Sequence, residues 1–342
     1  VLLFTRETSM MNFGQNVDQI EKTKVGVIGL GDISTKVHLP ILSARKDTEI
    51  VWSFDINEEN AKYIAKIYSL RLLSANTALS DFPEVDVILM AIPPTQRQTY
   101  LEFFVKSNIA FYIEKPFAFS ASQHESICKN FAPFRLGNGL QYRSWGRALL
   151  VKKIIEEQVF GNLFRVELGQ GTPFSGFGGR KRKDVGGVLW DLGIHGLDMI
   201  FNVTKAHSVE ILKSNIFEDN GFALDVYSSM NLNLENEKIV PFDCHVSWVK
   251  ETMEGCIFNF ENADLILPFD LLSPVEILSK NKNKVMSMNE ETQQYPLTPL
   301  QTFSSHWDHF LEGISNQTSN RTSAENSLLT TQTIEKILEG KV

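Results

Sequence analysis

Between residues 24 and 114 the apolar positions fall into short, nearly unbroken runs separated by stretches of mixed polarity. The runs at 24–29, 49–55, 86–92 and 110–114 are rich in β-branched and other large apolar residues, the texture of strands buried on both faces. Between them, 61–68 and 100–106 place apolar residues at helical spacing, and Asn57, Glu58 and Glu59 suit the opening of a helix. Pro93 and Pro94 halt the third run. Strands spaced by helices call for right-handed crossovers and a parallel sheet. Residues 23–142 therefore read as a doubly wound domain of Rossmann type.

After Gly161 the texture changes to alternation. Segments 222–227 and 230–234 alternate apolar and polar residues. Val240, Phe242, Cys244, Val246 and Trp248 do the same, with Asp243, His245 and Ser247 opposite. Further strands are expected at 163–168, 209–216, 255–260 and 263–267, and two closing helices at 301–314 and 324–338. Residues 143–342 thus read as an α+β domain whose large, mainly antiparallel sheet carries helices on one face. The other face, broad and semi-polar, suits a substrate wall or the interface of a homo-oligomer.

Composition narrows the class. A chain of 342 residues is long for one core, and 43% apolar with 22% charged residues is ordinary for a globular protein. The net charge of −8 argues against nucleic acid or an anionic membrane as the main partner. Three cysteines without CxxC spacing argue against a disulfide framework or a zinc knuckle, and a reducing cytoplasm fits best. No apolar run approaches the roughly 20 residues that span a bilayer. Residues 1–22 lack the flanks of a signal peptide and are set aside as an extension, with Met10 or Met11 as a natural start.

The first strand ends in Gly29-Leu30-Gly31-Asp32-Ile33-Ser34, a G-x-G-x-x-G pattern with serine in third place. The first glycine makes the tight turn, and the second lets a pyrophosphate approach the backbone at a helix N-terminus. Gly29, Gly31, Asp32 and Ile33 are accordingly expected to bind a dinucleotide. Asp55 closes the next strand. Its carboxylate can accept from a ribose hydroxyl but repels a 2′-phosphate, by about 4 kcal/mol at 4 Å and an effective dielectric near 20. The residues after it offer no lysine or arginine to reverse that sign, so NAD(H) is favoured over NADP(H).

Two further stretches carry chemistry. Glu114-Lys115-Pro116 ends the fourth strand, where open α/β sheets bind ligands. Gly186-Gly187 precedes Asp191-x-x-x-His195, a spacing that stacks acid and imidazole on one face of an α-helix. Taken alone, that pair reads as an acid–base couple, a metal site or a structural polar seam.

Together the glycine turn, Glu114-Lys115-Pro116 and Asp191-x-x-x-His195 make the chain resemble the Gfo/Idh/MocA oxidoreductase family, as do His38-Leu39-Pro40 and Gln141-Tyr142-Arg143. The resemblance implies hydride transfer between nicotinamide and a CH-OH or C=O group of a sugar, cyclitol or derivative. It gives His195 the role of general acid/base, Lys115 that of donor to the alkoxide and nicotinamide ribose, and Asp191 that of binding substrate or orienting the imidazole. Glu114 is expected on the cofactor ribose, with Ile92 and Pro93 along the dinucleotide. A metal held by Asp191, His195 and Asp198 is not expected, since hydride transfer to nicotinamide needs none.

Arg97 stands where the family commonly has histidine, and Gly146 where proline is frequent. His306 and His309 are expected to be packing residues. Candidates on the substrate side are Arg143, His245, and Arg180 and Arg182 of the basic run 180–183. That run reads either as a solvated loop or as a clamp for an anionic substrate. Two other functions compete: a redox-neutral lyase or glycosidase that uses retained NAD transiently, and a non-catalytic sensor of NAD or sugar.

Overall fold

The fold was obtained as a computed structural model, which describes residues 21–171, 173, 186–270, 273–280, 285–287 and 298–340. Strands β1 (Thr23–Ile28), β2 (Thr48–Phe54), β3 (Val87–Met90), β4 (Ala110–Ile113) and β5 (Leu136–Asn138) pair in parallel in the order β2-β1-β3-β4-β5. All four residues of β3 are fully buried, as their unbroken apolar run requires. Helices α1 (Leu39–Ala44), α2 (Glu58–Tyr68), α3 (Gln98–Phe104) and α4 (Ala121–Lys129) make the crossovers. Asn57 caps α2, its side chain accepting from Asn60 N at 3.2 Å. Strand order reverses between β1 and β3, which opens a crevice at their carboxyl ends. Three-residue β5 is too short to leave a periodic signal, and the sequence reading passes over it.

The second sheet follows α5 (Gly146–Glu156). Its elements are β6 (Leu163–Gln170), α6 (Ile194–Thr204), β7 (Ser208–Asp219), β8 (Phe222–Asn233), β9 (Ile239–Ser247), β10 (Gly255–Phe260), β11 (Ala263–Pro268), β12 (Glu276–Ser279) and β13 (Val285–Ser287). The eight strands run β13-β12-β11-β10-β6-β9-β8-β7, antiparallel except where β6 lies parallel to β9. The two alternating segments at 222–227 and 230–234 are one strand, since the pattern continues unbroken through Ser228 and Ser229. Leu150 and Ile154 of α5 and Leu197 and Ile200 of α6 pack on this sheet with Ile334 and Ile337.

Helices α7 (Pro299–Asn316) and α8 (Leu328–Leu338) close the described chain. They part company in space. Whereas α8 joins the second core, Phe303, Trp307 and Phe310 of α7 pack on Val25, Val27 and Tyr112 of the first sheet. Trp307 stacks on Tyr112 with ring centroids 4.2 Å apart. A segment that sequence places in the second domain thus completes the core of the first. His306 of the same helix is buried, with Nε2 donating to Asn138 O (2.8 Å) and Nδ1 beside Ser144 Oγ (3.0 Å). Among the described residues no helix is long and apolar enough to cross a membrane.

Candidate active site

The glycine turn sits in the crevice. Gly29 has φ +95, and a Cβ there would lie 2.5 Å from Ala91 O, so the turn and the strand it approaches both require glycine. Ser34, in the third place of the fingerprint, is buried and donates its hydroxyl to Gly29 O at 2.6 Å, tying helix to turn. Gly31 differs from Gly29. Nothing lies within 4 Å of a Cβ built on it, so no contact within the fold demands a glycine. Asp32 is exposed and pairs with Lys36 at 3.0 Å, and Ile33 is half-buried. Asp55 accepts from Leu30 N and Asn57 N, each at 2.7 Å, which fixes its carboxylate against the turn.

The loops after β3 and β4 are tied by one side chain. Arg97 is 2% exposed and donates to Ile92 O (2.8 Å), Pro116 O (2.5 Å) and Phe117 O (2.9 Å). It thereby holds Ile92 and Pro93 beside the Lys115-Pro116 exit, whose peptide bond is cis. A buried guanidinium can serve three carbonyls at once, which a histidine cannot.

Glu114 is tied into the core. It is buried, with Oε1 2.8 Å from His38 Nε2 and Oε2 accepting from Lys115 N at 3.1 Å. Trp307 donates its indole N–H to His38 Nδ1 at 3.0 Å, leaving Nε2 as the proton-bearing nitrogen that donates to Glu114. The carboxylate therefore has partners within the protein on both oxygens and positions the Lys115 backbone.

Lys115 meets the second half of the chain. Its Nζ donates to Asp191 O at 2.8 Å and to Asp191 Oδ1 at 3.1 Å, across 76 residues of sequence. Both side chains keep about a fifth to a quarter of their surface, 21% and 24%. His195 lies beside them, near enough that the lysine's charge, after burial, is the second cause holding its pKa well below the usual imidazole value. The Tyr142 ring is 5.3 Å from the imidazole, and burial raises its phenol to about 12.

Asp191 reaches Lys115 from a π-helical turn. Residues Leu189–Gly193 form a π-helical turn entered through Gly186 (φ +75) and Gly187 (φ +93). That turn is wider than the 3.6 residues that α-helical spacing assumes. The acid goes to Lys115, and His195 Nδ1 is buried with no hydrogen-bond partner among the described residues. Gln141 Oε1 and Gln170 Oε1 share that condition, and Gln170 lies close to Gly196. The sequence reading gave Tyr142 and Gln141 only as part of a resemblance and missed Gln170, because a lone glutamine ending a strand carries no pattern.

Two substrate candidates are placed elsewhere. Arg143 is buried, with Nε on Asp198 Oδ2 (2.7 Å) and Nη2 on Asp198 Oδ1 (2.6 Å). Its remaining donors reach Arg321 O and Asn326 O, so the guanidinium is a structural clasp. Asp198 accordingly faces Arg143, not Asp191 or His195. His245 projects from the open face of the second sheet, since its neighbour Val246 packs against Gly193 on the helical face. It pairs with Asp225 Oδ1 at 2.8 Å, a carboxylate that Lys250 also binds. The sheet separates it from α6, so it forms no wall of the His195 site. Arg180 and Arg182 lie outside the described residues.

Residues 23–132 match the model of an oxidoreductase family with an NAD-binding Rossmann fold, and 148–262 that of the GFO/IDH/MocA C-terminal domain. The chain is 24% identical to glucose-6-phosphate 3-dehydrogenase of Bacillus subtilis, over 76% of this chain and 73% of that one. It is 26% identical to D-glucoside 3-dehydrogenase of Escherichia coli, over 58% of each. Among solved structures, KijD10, a 3-ketoreductase from Actinomadura kijaniata in complex with NADP and TDP-benzene, has a similar fold. That likeness has a TM-score of 0.78 at 16% identity, covering 94% of this chain and 98% of the other. The aldose-aldose oxidoreductase of Caulobacter crescentus gives 0.76 at 15% identity, covering 94% and 97%.

Proposed function

Because the chain belongs to the Gfo/Idh/MocA family of oxidoreductases, we propose that it moves hydride between NAD(H) and a secondary carbinol of a hexose or hexose derivative, with His195 transferring the hydroxyl proton. The observation that carries this reading is the meeting of Lys115 and Asp191 at 3.1 Å beside a half-buried imidazole. Two relatives whose names specify oxidation at the third carbon support C3 as the reacting position.

A bound nicotinamide supplies the hydride acceptor in oxidation and the donor in reduction. Gly29, Gly31, Asp55, Ile92 and Pro93 would hold the dinucleotide, and the open space over Gly31 fits a pyrophosphate passing close to backbone. His195, whose pKa is held low, is neutral near pH 7 and takes the carbinol proton as the C–H bond breaks. Lys115 spends two of its three N–H donors on Asp191 and keeps one for the substrate oxygen, whose developing charge it offsets. Asp191 acts through Lys115 by fixing where that amine points. We place self-association on the open face of the second sheet, where Ile257, Ile266 and Leu278 stay partly exposed.

The preference for NAD(H) rests on Asp55. An assay with glucosides and each dinucleotide should give net nicotinamide reduction, with NAD+ used in preference to NADP+. Asp55→Asn should raise the NADP+/NAD+ ratio of kcat/KM by tenfold or more, since about 1.4 kcal/mol of relieved repulsion suffices for that. An unchanged ratio would remove Asp55 from the discrimination. Product formed without absorbance change would favour the redox-neutral reaction instead.

The two glycines of the turn separate folding from binding. Gly31→Ala meets no neighbour in the fold, so the thermal midpoint should stay within a degree or two, roughly the span of a surface change. Dinucleotide affinity, read by fluorescence titration, should fall at least tenfold. Full affinity in that variant would mean the pyrophosphate lies elsewhere.

A further inference from the structure

His195 lies in the first turn of α6, and a second cleft opens at the helix's other end, about 15 Å away at 1.5 Å per residue. Its volume is about 920 Å³, within the range of small-molecule sites. It lies between α5, the end of α6 and the connection from α7 to α8. On a chain of net charge −8, five lysine or arginine residues and two glutamates line it.

Tracing each charge shows which of them the fold uses. Arg143 is held by Asp198, Lys205 by Glu156 at 2.8 Å, and Lys153 by Glu157 at 4.0 Å. His309 stands 3.6 Å from Glu312. Lys152 and Arg321 remain. Both are half-buried, and among the described residues neither has an ion pair or a hydrogen-bond acceptor for its cationic end. The Asn202 side chain, half-buried in the same cleft, has no protein partner among them either. Burial lowers the pKa of both cations, Glu156 and Glu312 pull those of Lys152 and Arg321 back up, and Lys205, Arg321 and Arg143 lower that of Lys152 further. Partly desolvated, mutually repelling cations are costly unless an anion offsets them.

We propose that this cleft is a binding site for a phosphate-bearing small molecule, with Lys152 and Arg321 taking the phosphoryl oxygens and the Asn202 amide as a neutral donor. Two positive charges without a hydrogen-bonded counterion suit the −1.5 to −2 of a phosphomonoester near pH 7. The planar guanidinium can meet two phosphoryl oxygens in parallel, and the ammonium can approach as a point charge. The site is separate from the glycine turn, so its occupancy does not depend on the catalytic reading.

Titration calorimetry of the full chain with inorganic phosphate, at ionic strength held constant with chloride, tests this. One saturable event is expected that Lys152→Gln and Arg321→Gln each weaken at least tenfold. Gly31→Ala, which alters the other anion cradle, should leave it intact, as should Lys153→Gln, which removes an exposed charge at the rim. If Arg321→Gln lowers the thermal midpoint, Lys152→Gln and Asn202→Ala carry the test alone. Absence of saturation, binding that survives Lys152→Gln, or equal loss with Lys153→Gln would overturn the proposal.

Discussion

His195→Ala is expected to lower kcat for hexose oxidation by about 10²–10⁴-fold with little change in KM, since a positioned acid–base group acts mainly in the transition state. Lys115→Ala should cost a similar factor, because it removes the donor aimed at the developing alkoxide. The two losses should not add, as both groups serve one proton and one charge. The pH profile gives a sharper test. Burial and Lys115 both disfavour imidazolium, so the acid limb of kcat/KM in the parent enzyme should lie well below the usual imidazole value of 6.5. Removing the lysine's charge removes one of these causes, so in Lys115→Ala that limb should move toward higher pH. A limb that stays put, or a His195→Ala enzyme that keeps its rate, would exclude the imidazole as the titrating base.

The largest effect on stability is expected at Asp198. It shares two hydrogen bonds with Arg143 at 2.6 and 2.7 Å and accepts a third from Thr330 Oγ1 at 3.0 Å, all within the core. Asp198→Ala would leave a buried guanidinium without its counterion, and breaking such a pair costs about 3–5 kcal/mol. Denaturant unfolding should register that loss. In enzyme still folded, kcat should change by less than an order of magnitude, because Asp198 touches neither Lys115 nor His195. Replacing the pair together, as Arg143→Met with Asp198→Leu, should recover part of the stability. Recovery would be incomplete, since Arg321 O and Asn326 O lose their donor at about 1–3 kcal/mol each if left buried and unpaired. A loss below about 1 kcal/mol in Asp198→Ala would show that the clasp is not the structural tie its geometry suggests.

These cases show where local pattern suffices. Runs such as 87–90 and 110–113 announce their strands because burial on both faces tolerates few polar groups, and that constraint is written residue by residue. The alternation of β9 predicts which face is buried, and the structure agrees: Val240, Phe242, Cys244, Val246 and Trp248 are all buried. It could not say what lies across the opposite face, so His245 was read as a substrate wall when it pairs with Asp225 on the side away from α6. The i, i+4 spacing at Asp191 did not reveal Lys115 as its partner for a related reason. It presumes an α-helical turn, and a π turn leaves no distinct signature in a five-residue window.

Glu114, Arg143 and Arg97 form another group. Each was singled out by sequence for a cofactor, a substrate or a departure from pattern. Each is bound instead to groups from distant elements: Glu114 to His38 and through it Trp307, Arg143 to Asp198, and Arg97 to the carbonyls after β4. A buried charge takes whatever partner the packed core brings within reach, and that choice is made after the chain is folded.

By itself, then, the sequence determined the kind and order of most of the longer strands and of the closing helices, the parallel and antiparallel characters of the two sheets, and the turn at Gly29. These follow from hydrophobic period and backbone sterics, which act over a few residues. Only the tertiary structure decided that α7 completes the first core, that Lys115 meets Asp191, and that Lys152 and Arg321 face one cleft. Those outcomes depend on contacts between residues up to 269 positions apart, as Trp307 and His38 are, and no local period encodes them.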